Sequence, residues 1–201
     1  MIRFAPLANR LVPIVLLLVA MIGYVGGSEM VCHAAEQGVD ALIQAAGQGS
    51  SKAQRRLGQI FHDGKGVQRD YGEAMRWFRL AADQGDAEAQ NSVGMLYDNG
   101  KGVPKDYHEA ARWFRLAADQ GHVLARRNLG WMYEKGQGFK QDYVLSYMWQ
   151  YLAEKARIEQ QGKSGGGVDQ CRLCDAVARK MTPEQVARAQ ERARGWSPKG
   201  P

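Results

Sequence analysis

The chain of 201 residues has only 3 cysteines, 4 histidines and 6 prolines, and each shortage excludes something. No cysteines and histidines stand at zinc-finger spacing, and His33, His62, His108 and His122 are scattered without the spacing of metal ligands. There is no run of five or more basic residues, so the net charge of +6 favours acidic partners only weakly and nucleic acid is not expected as a partner. No residue pair suggests a nucleophile with its base or two carboxylates at a recessed site, so neither an enzyme nor a cofactor is expected. Glycine, in contrast, is abundant at 24 residues, which suits many short, sharply turned connections, and a hydrophobic fraction of 45% is enough for a core.

The opening segment reads as targeting sequence rather than fold. Arg3 and Arg10 mark a short basic start, and the 17 residues from Leu11 to Gly27 are uncharged and mostly aliphatic. That length is near the lower limit for a bilayer span and long for the apolar part of a cleaved signal. Val25 and Gly27 permit cleavage before Ser28, and Cys32 and Ala34 permit it before Ala35; failing both, residues 11–27 form an inner-membrane anchor with the basic end in the cytoplasm. Either outcome exports the remainder of the chain, so the expected location is the periplasm, soluble or anchored.

Shifted by 36 positions, the sequence matches itself. Residues 53–85 read AQRRLGQIFHDGKGVQRDYGEAMRWFRLAADQG, and residues 89–121 read AQNSVGMLYDNGKGVPKDYHEAARWFRLAADQG. A looser third copy keeps Leu129, Gly130, Tyr133, Gly136, Gly138, Asp142, Tyr143, Trp149 and Ala153 in register. Each unit carries two helical apolar stripes: Ala53, Leu57 and Phe61, spaced by four, then Tyr71, Ala74, Phe78 and Ala81. Glycine inside a helix costs about 1 kcal/mol relative to alanine, so Gly58, Gly94 and Gly130 at one phase call for close approach of the paired helix. The glycine pairs 64/66, 100/102 and 136/138 bracket the turn, Asp70, Asp106 and Asp142 are placed to cap the second helix, and Gly85 and Gly121 end it. His62 and His108 sit at variable positions and are expected to be solvated.

The resulting organisation is a signal or anchor at 1–27, an N-terminal capping helix region at 28–50, repeats at 51–86, 87–122 and 123–160, a glycine-rich loop at 161–167, a capping helix pair at 168–196 and a tail at 197–201. In the cap, Asp169 can start one helix, and Thr182, Pro183 and Gln185 form a capping box for the next. Gln150 and Ser146 replace the Phe and Ala of the earlier units, and Tyr147, Met148 and Tyr151 add bulk, which suggests a different packing register in the third pair.

The unit A-x-x-x-L-G-x-x-Y followed by G-x-G-V-x-x-D-Y-x-E-A-x-x-W-F-x-x-A-A-x-Q-G resembles the Sel1-like repeat, a relative of the tetratricopeptide repeat, over roughly residues 35–160. Met181 to Trp196 is similar to the C-terminal cap of bacterial members. The resemblance implies an all-α, right-handed superhelical solenoid of antiparallel helix pairs that binds proteins or peptides, in bacteria often on the exported side. Cysteine-rich relatives with β-lactamase-like activity pair two cysteines within each repeat, whereas residues 53–156 here have none, so that chemistry is not carried over.

Two places could carry function. Stepping 100° per residue puts Gln59, Met95 and Trp131 directly behind the buried stripe of the first helices, flanked by Arg55, Asn91 and Arg127. In a tandem-helix solenoid that face lines the concave surface, where Trp131 and Met95 would anchor an extended or acidic partner segment; alternatively, both pack against the preceding unit and complete the core. Cys171 and Cys174, three apart, are a redox motif at a helix N-terminus, a structural disulfide, or two buried small hydrophobes. The main expectation is an exported scaffold or adaptor that binds a protein or peptide and regulates a cell-envelope complex. The alternatives are an envelope or thiol-redox enzyme acting through Cys171 and Cys174, and a structural subunit of an envelope assembly.

Overall fold

A computed structural model describes residues 39–160 and 171–198. The chain divides into two units, Met1–Ala41 and Leu42–Pro201. The first lies almost wholly outside the described residues, and the second carries the repeats.

All regular elements among the described residues are helices. A helix described from residue 39 to 47 (α1) precedes three pairs: α2 (Ser51–Asp63) with α3 (Tyr71–Asp83), α4 (Ala87–Asn99) with α5 (Tyr107–Asp119), and α6 (Val123–Lys135) with α7 (Tyr143–Gln160). Two shorter helices, α8 (Arg172–Ala178) and α9 (Pro183–Arg194), close the array against α7. Each helix of the three pairs packs chiefly on its neighbours in the chain, which makes the unit an all-α solenoid of helix pairs.

The boundaries follow from capping chemistry. Ser50, Asp86 and His122, one repeat apart, accept the free backbone N–H of Ala53, Ala89 and Ala125 at the starts of α2, α4 and α6. These helices end on Gly64, Gly100 and Gly136 in the left-handed region, with φ of 71°, 67° and 68°. Asp70 and Asp106 each accept two N–H bonds at the starts of α3 and α5, and Asp142 accepts from Leu145.

Within a pair, bare backbone lets an aromatic ring lie flush against the facing helix. A Cβ at Gly58 would stand 2.6 Å from the Phe78 ring, and one at Gly94 would stand 2.8 Å from Phe114. The third pair keeps this register, contrary to the shift suggested by its substitutions. Gly130 faces Gln150, whose Cγ would be 2.7 Å from an added Cβ, and Gln150 turns its Nε2 to donate to Ser146 Oγ at 3.1 Å. A polar side chain fills the phenylalanine's place by bonding within its own helix.

Between pairs, two devices repeat. The turn at Gly102 rests on the Tyr71 carbonyl and the turn at Gly138 on the Tyr107 carbonyl, so a Cβ at either would collide with the preceding unit's backbone. The Arg79 guanidinium lies 4.8 Å from the Trp113 ring centre, and Arg115 lies 5.0 Å from Trp149. The array ends where Trp196 meets Trp149 edge to face at 5.7 Å and Arg126 stacks on Trp196 at 4.3 Å. Thr182 and Gln185 form the capping box of α9. The N-cap of α8 is Cys171, not Asp169, which lies outside the described residues.

No helix among the described residues is long and apolar enough to cross a membrane. The longest, α7, carries Glu154, Lys155, Arg157 and Glu159, whose charges are costly to dehydrate. This overturns the expected membrane-anchor helix as a part of the fold, and with it inner-membrane association and an anchored periplasmic location. The apolar segment 11–27, on which those expectations rested, lies outside the described residues, as do the loop at 161–167 and the last residues of the tail.

A candidate binding face on the first helices

The first helix of each unit buries one side against its partner and turns the other outward. On that outward side Gln59, Met95 and Trp131 fall at one phase, and all three are exposed; Met95 is 43% and Trp131 44% accessible. Trp131 therefore does not complete the core, whereas its neighbours Gly130 and Met132 are buried. Leu124, about two turns earlier on α6, adds a third apolar side chain at 46% exposure. Arg127 is exposed on the same side.

Two residues assigned to this face from the sequence do different work. Asn91 is buried, and its Oδ1 accepts from Asn128 Nδ2 at 3.3 Å, tying α4 to α6. Arg55 is partly buried, with Nε donating to Asp86 at 3.0 Å and Nη1 to Glu88 at 2.6 Å, tying α2 to α4. Gln59 spends its amide on Asp63 at 2.9 Å. Bonds from Lys65, His62 and Gln59 hold the Asp63 carboxyl far below the usual carboxylate range. His62 is thus not simply solvated, as expected, but half-buried, 5.4 Å from the Tyr71 ring; His108 is exposed.

Cys171 and Cys174 form a disulfide, and both are buried among Tyr147, Val177 and Ala189. Sγ of Cys171 also accepts the Cys174 N–H at the start of α8. The bridge closes the first turn of α8, whose buried face packs on Tyr147 of α7, and neither sulfur is open to an attacking thiolate. Beside it, a recess of about 380 Å³ is lined by Glu154, Arg157, Arg172 and Leu173, in which Glu154 and Arg157 pair with each other at 2.6 Å. Among the described residues no group of three or more His, Cys, Asp or Glu could hold a metal ion.

Sequence reasoning missed a ladder of side chains. Gln54 and Gln90 donate Nε2 to the carbonyls of Ala46 and Ala82, both at 3.1 Å, and in turn accept from Gln84 and Gln120, both at 2.7 Å. In the third unit Arg126 takes the glutamine's place, donating to Ala118 and Leu152 carbonyls at 3.3 and 3.2 Å. The signal was present, since 54/90 and 84/120 recur at the repeat length.

Paired helices stacked one on the next define the class as a helical-repeat array. The chain belongs to the Sel1 repeat family, whose repeat matches residues 51–86, 87–122 and 123–155. Among solved structures it is similar to a Sel1 repeat protein from Oxalobacter formigenes, at 32% identity and a TM-score of 0.56, over 69% of this chain and 98% of that one. It is also similar to a protective antigen present in uropathogenic Escherichia coli strains that displays an SLR fold, at 33% identity and a TM-score of 0.54. That match covers 78% of this chain and 36% of the antigen, so this chain spans about a third of its length. No curated protein matches. The repeats form a scaffold of stacked helix pairs.

Proposed function

We propose that the protein is a scaffold that captures a protein or peptide partner on the outward face of α2, α4 and α6, and through that capture regulates the complex to which the partner belongs. The observation that carries this reading is the pair Met95 and Trp131, two large apolar side chains 36 residues apart that stay more than two-fifths exposed on a layer whose neighbouring positions are buried. A solitary exposed apolar residue means little, but an aligned pair with Leu124 beside them is the composition of an interface centre. In this reading Trp131, Met95, Gln59 and Arg127 meet the partner, while Arg55 and Asn91 hold the repeats in the spacing that sets the face.

Trp131→Ala tests it. The expected result is at least about tenfold weaker retention of the partner that copurifies with the full chain, the loss typical of an interface hot spot. Unchanged retention by a correctly folded variant would remove the proposal.

A further inference from the structure

On α6, Arg127, Trp131 and Lys135 stand at successive intervals of four residues, so they line one face at steps of about 6 Å along the axis. All three are exposed, and neither Arg127 nor Lys135 has an ion pair or hydrogen-bond partner among the described residues. At the same positions of the first unit, Arg55 and Asp63, the charges are matched. Glu88 and Asp86 are held by Arg55, and Asp63 by Lys65, His62 and Gln59. The third unit alone presents a cation, an indole and a cation in line with no carboxylate of its own opposite them.

In an extended peptide, side chains on one side recur every two residues, at about 6.8 Å. That step is close to the i, i+4 step of a helix. Resting on the scaffold reading, we propose that α6 takes an extended acidic segment in which carboxylate, apolar residue and carboxylate alternate with outward-facing residues. The central side chain lies on Trp131, and the two carboxylates meet Arg127 and Lys135 on either side of it. Arg127 can take its carboxylate through two parallel N–H bonds, and Lys135 acts as a point charge. A nucleic acid strand fits this face less well. Its phosphates would continue past Glu88, and the flanking side chains at Met95 and Leu124 are aliphatic where further stacking platforms would be needed.

The test uses the full chain and short labelled peptides, with anisotropy for affinity and the Trp131 indole N–H signal for location. A peptide with the core Glu-Ser-Phe-Ser-Glu is expected to bind and shift that signal. Its Lys-Ser-Phe-Ser-Lys counterpart should bind at least about tenfold more weakly, as should the Glu peptide to an Arg127→Glu, Lys135→Glu double variant. Moving both glutamates to one side of the phenylalanine should weaken binding several-fold, and raising salt should weaken the Glu peptide most. Helicity and melting of the double variant serve as the folding control. Equal binding of the lysine peptide, an unaffected double variant, or equally tight binding of a single-stranded oligonucleotide or an anionic lipid vesicle would overturn the proposal. If only neutral Ser-Ser-Phe-Ser-Ser binds at Trp131, the acidic partner falls while the binding face stands. If no peptide of any charge moves the indole signal, the binding face falls with it.

Discussion

The Gln120 side chain donates to Oε1 of Gln90 at 2.7 Å, and 36 residues earlier Gln84 donates to Gln54 at the same distance. Because Gln90 also donates to the Ala82 carbonyl, each inner glutamine joins its own helix start to the end of the second helix before it and to the end of the second helix after it. Removing Gln90 leaves the Ala82 carbonyl with the Gly85 N–H at 3.0 Å but takes the acceptor from the half-buried Gln120 amide, which costs about 1–3 kcal/mol at most. Gln90→Ala is expected to destabilise the chain by about 2 kcal/mol. In a double-mutant cycle by urea unfolding, Gln90→Ala and Gln120→Ala should show a coupling of about 0.5–1.5 kcal/mol; additive losses would mean that the 2.7 Å contact contributes nothing.

Gly94→Ala sets two effects against each other. The methyl group improves helix propensity by about 1 kcal/mol, but it enters space held by the buried Phe114 ring, and overpacking costs about 1–3 kcal/mol. Packing is expected to win, with a net loss of about 1 kcal/mol that Phe114→Leu in the same chain partly recovers. A stabilised Gly94→Ala variant would mean that the ring moves aside freely.

Much of this architecture was legible in the sequence because it depends on repeated local chemistry. The period of 36, the glycines at 58, 94 and 130, and the aspartate caps at 70, 106 and 142 each have a reason confined to one or two helices. The first-helix caps escaped notice because Ser50, Asp86 and His122 are three different residues doing one job. The candidate face was read from the rotation of a single helix. That calculation finds Met95 and Trp131, but it cannot know that the next repeat covers Asn91 or supplies Asp86 and Glu88 to Arg55. The membrane anchor was inferred from an apolar run behind a basic start, and no described helix supports it.

His122 makes the third repeat sensitive to acid. Its Nδ1 accepts the Ala125 N–H at 3.2 Å, which requires the neutral ring, and burial first, with help from Arg126, pushes its pKa down, against the pull of Glu88 and Asp86. A depressed folded-state pKa favours the native chain when the ring is neutral. The contribution is full above the ordinary histidine value near 6.5 and is lost as pH falls through the lower folded-state value. Stability measured by urea unfolding should therefore decline below about pH 6.5 more steeply in the native chain than in His122→Asn, which keeps a cap acceptor without the titration. Parallel pH profiles would show that the ring's charge does not matter.

The two tryptophans at 131 and 149 should separate binding from folding. Trp149 is buried against Trp196 and Arg115, and Trp149→Ala is expected to cost about 3–5 kcal/mol. Trp131→Ala should change stability by less than about 1 kcal/mol, because nearly half of the side chain is already in water. Thermal melts of the two variants decide this, and a large loss at Trp131 would return it to the core.

The most direct measurement of the scaffold account is site-specific photocrosslinking in intact cells, with a photoreactive residue placed in turn at 95, 131 and 116. Leu116 is 41% exposed, close to Met95 and Trp131, but it lies on a second helix, so accessibility alone cannot separate the sites. The account expects a discrete partner adduct from 95 and 131 and none from 116. Adducts of equal yield from all three, or from 116 alone, would contradict it.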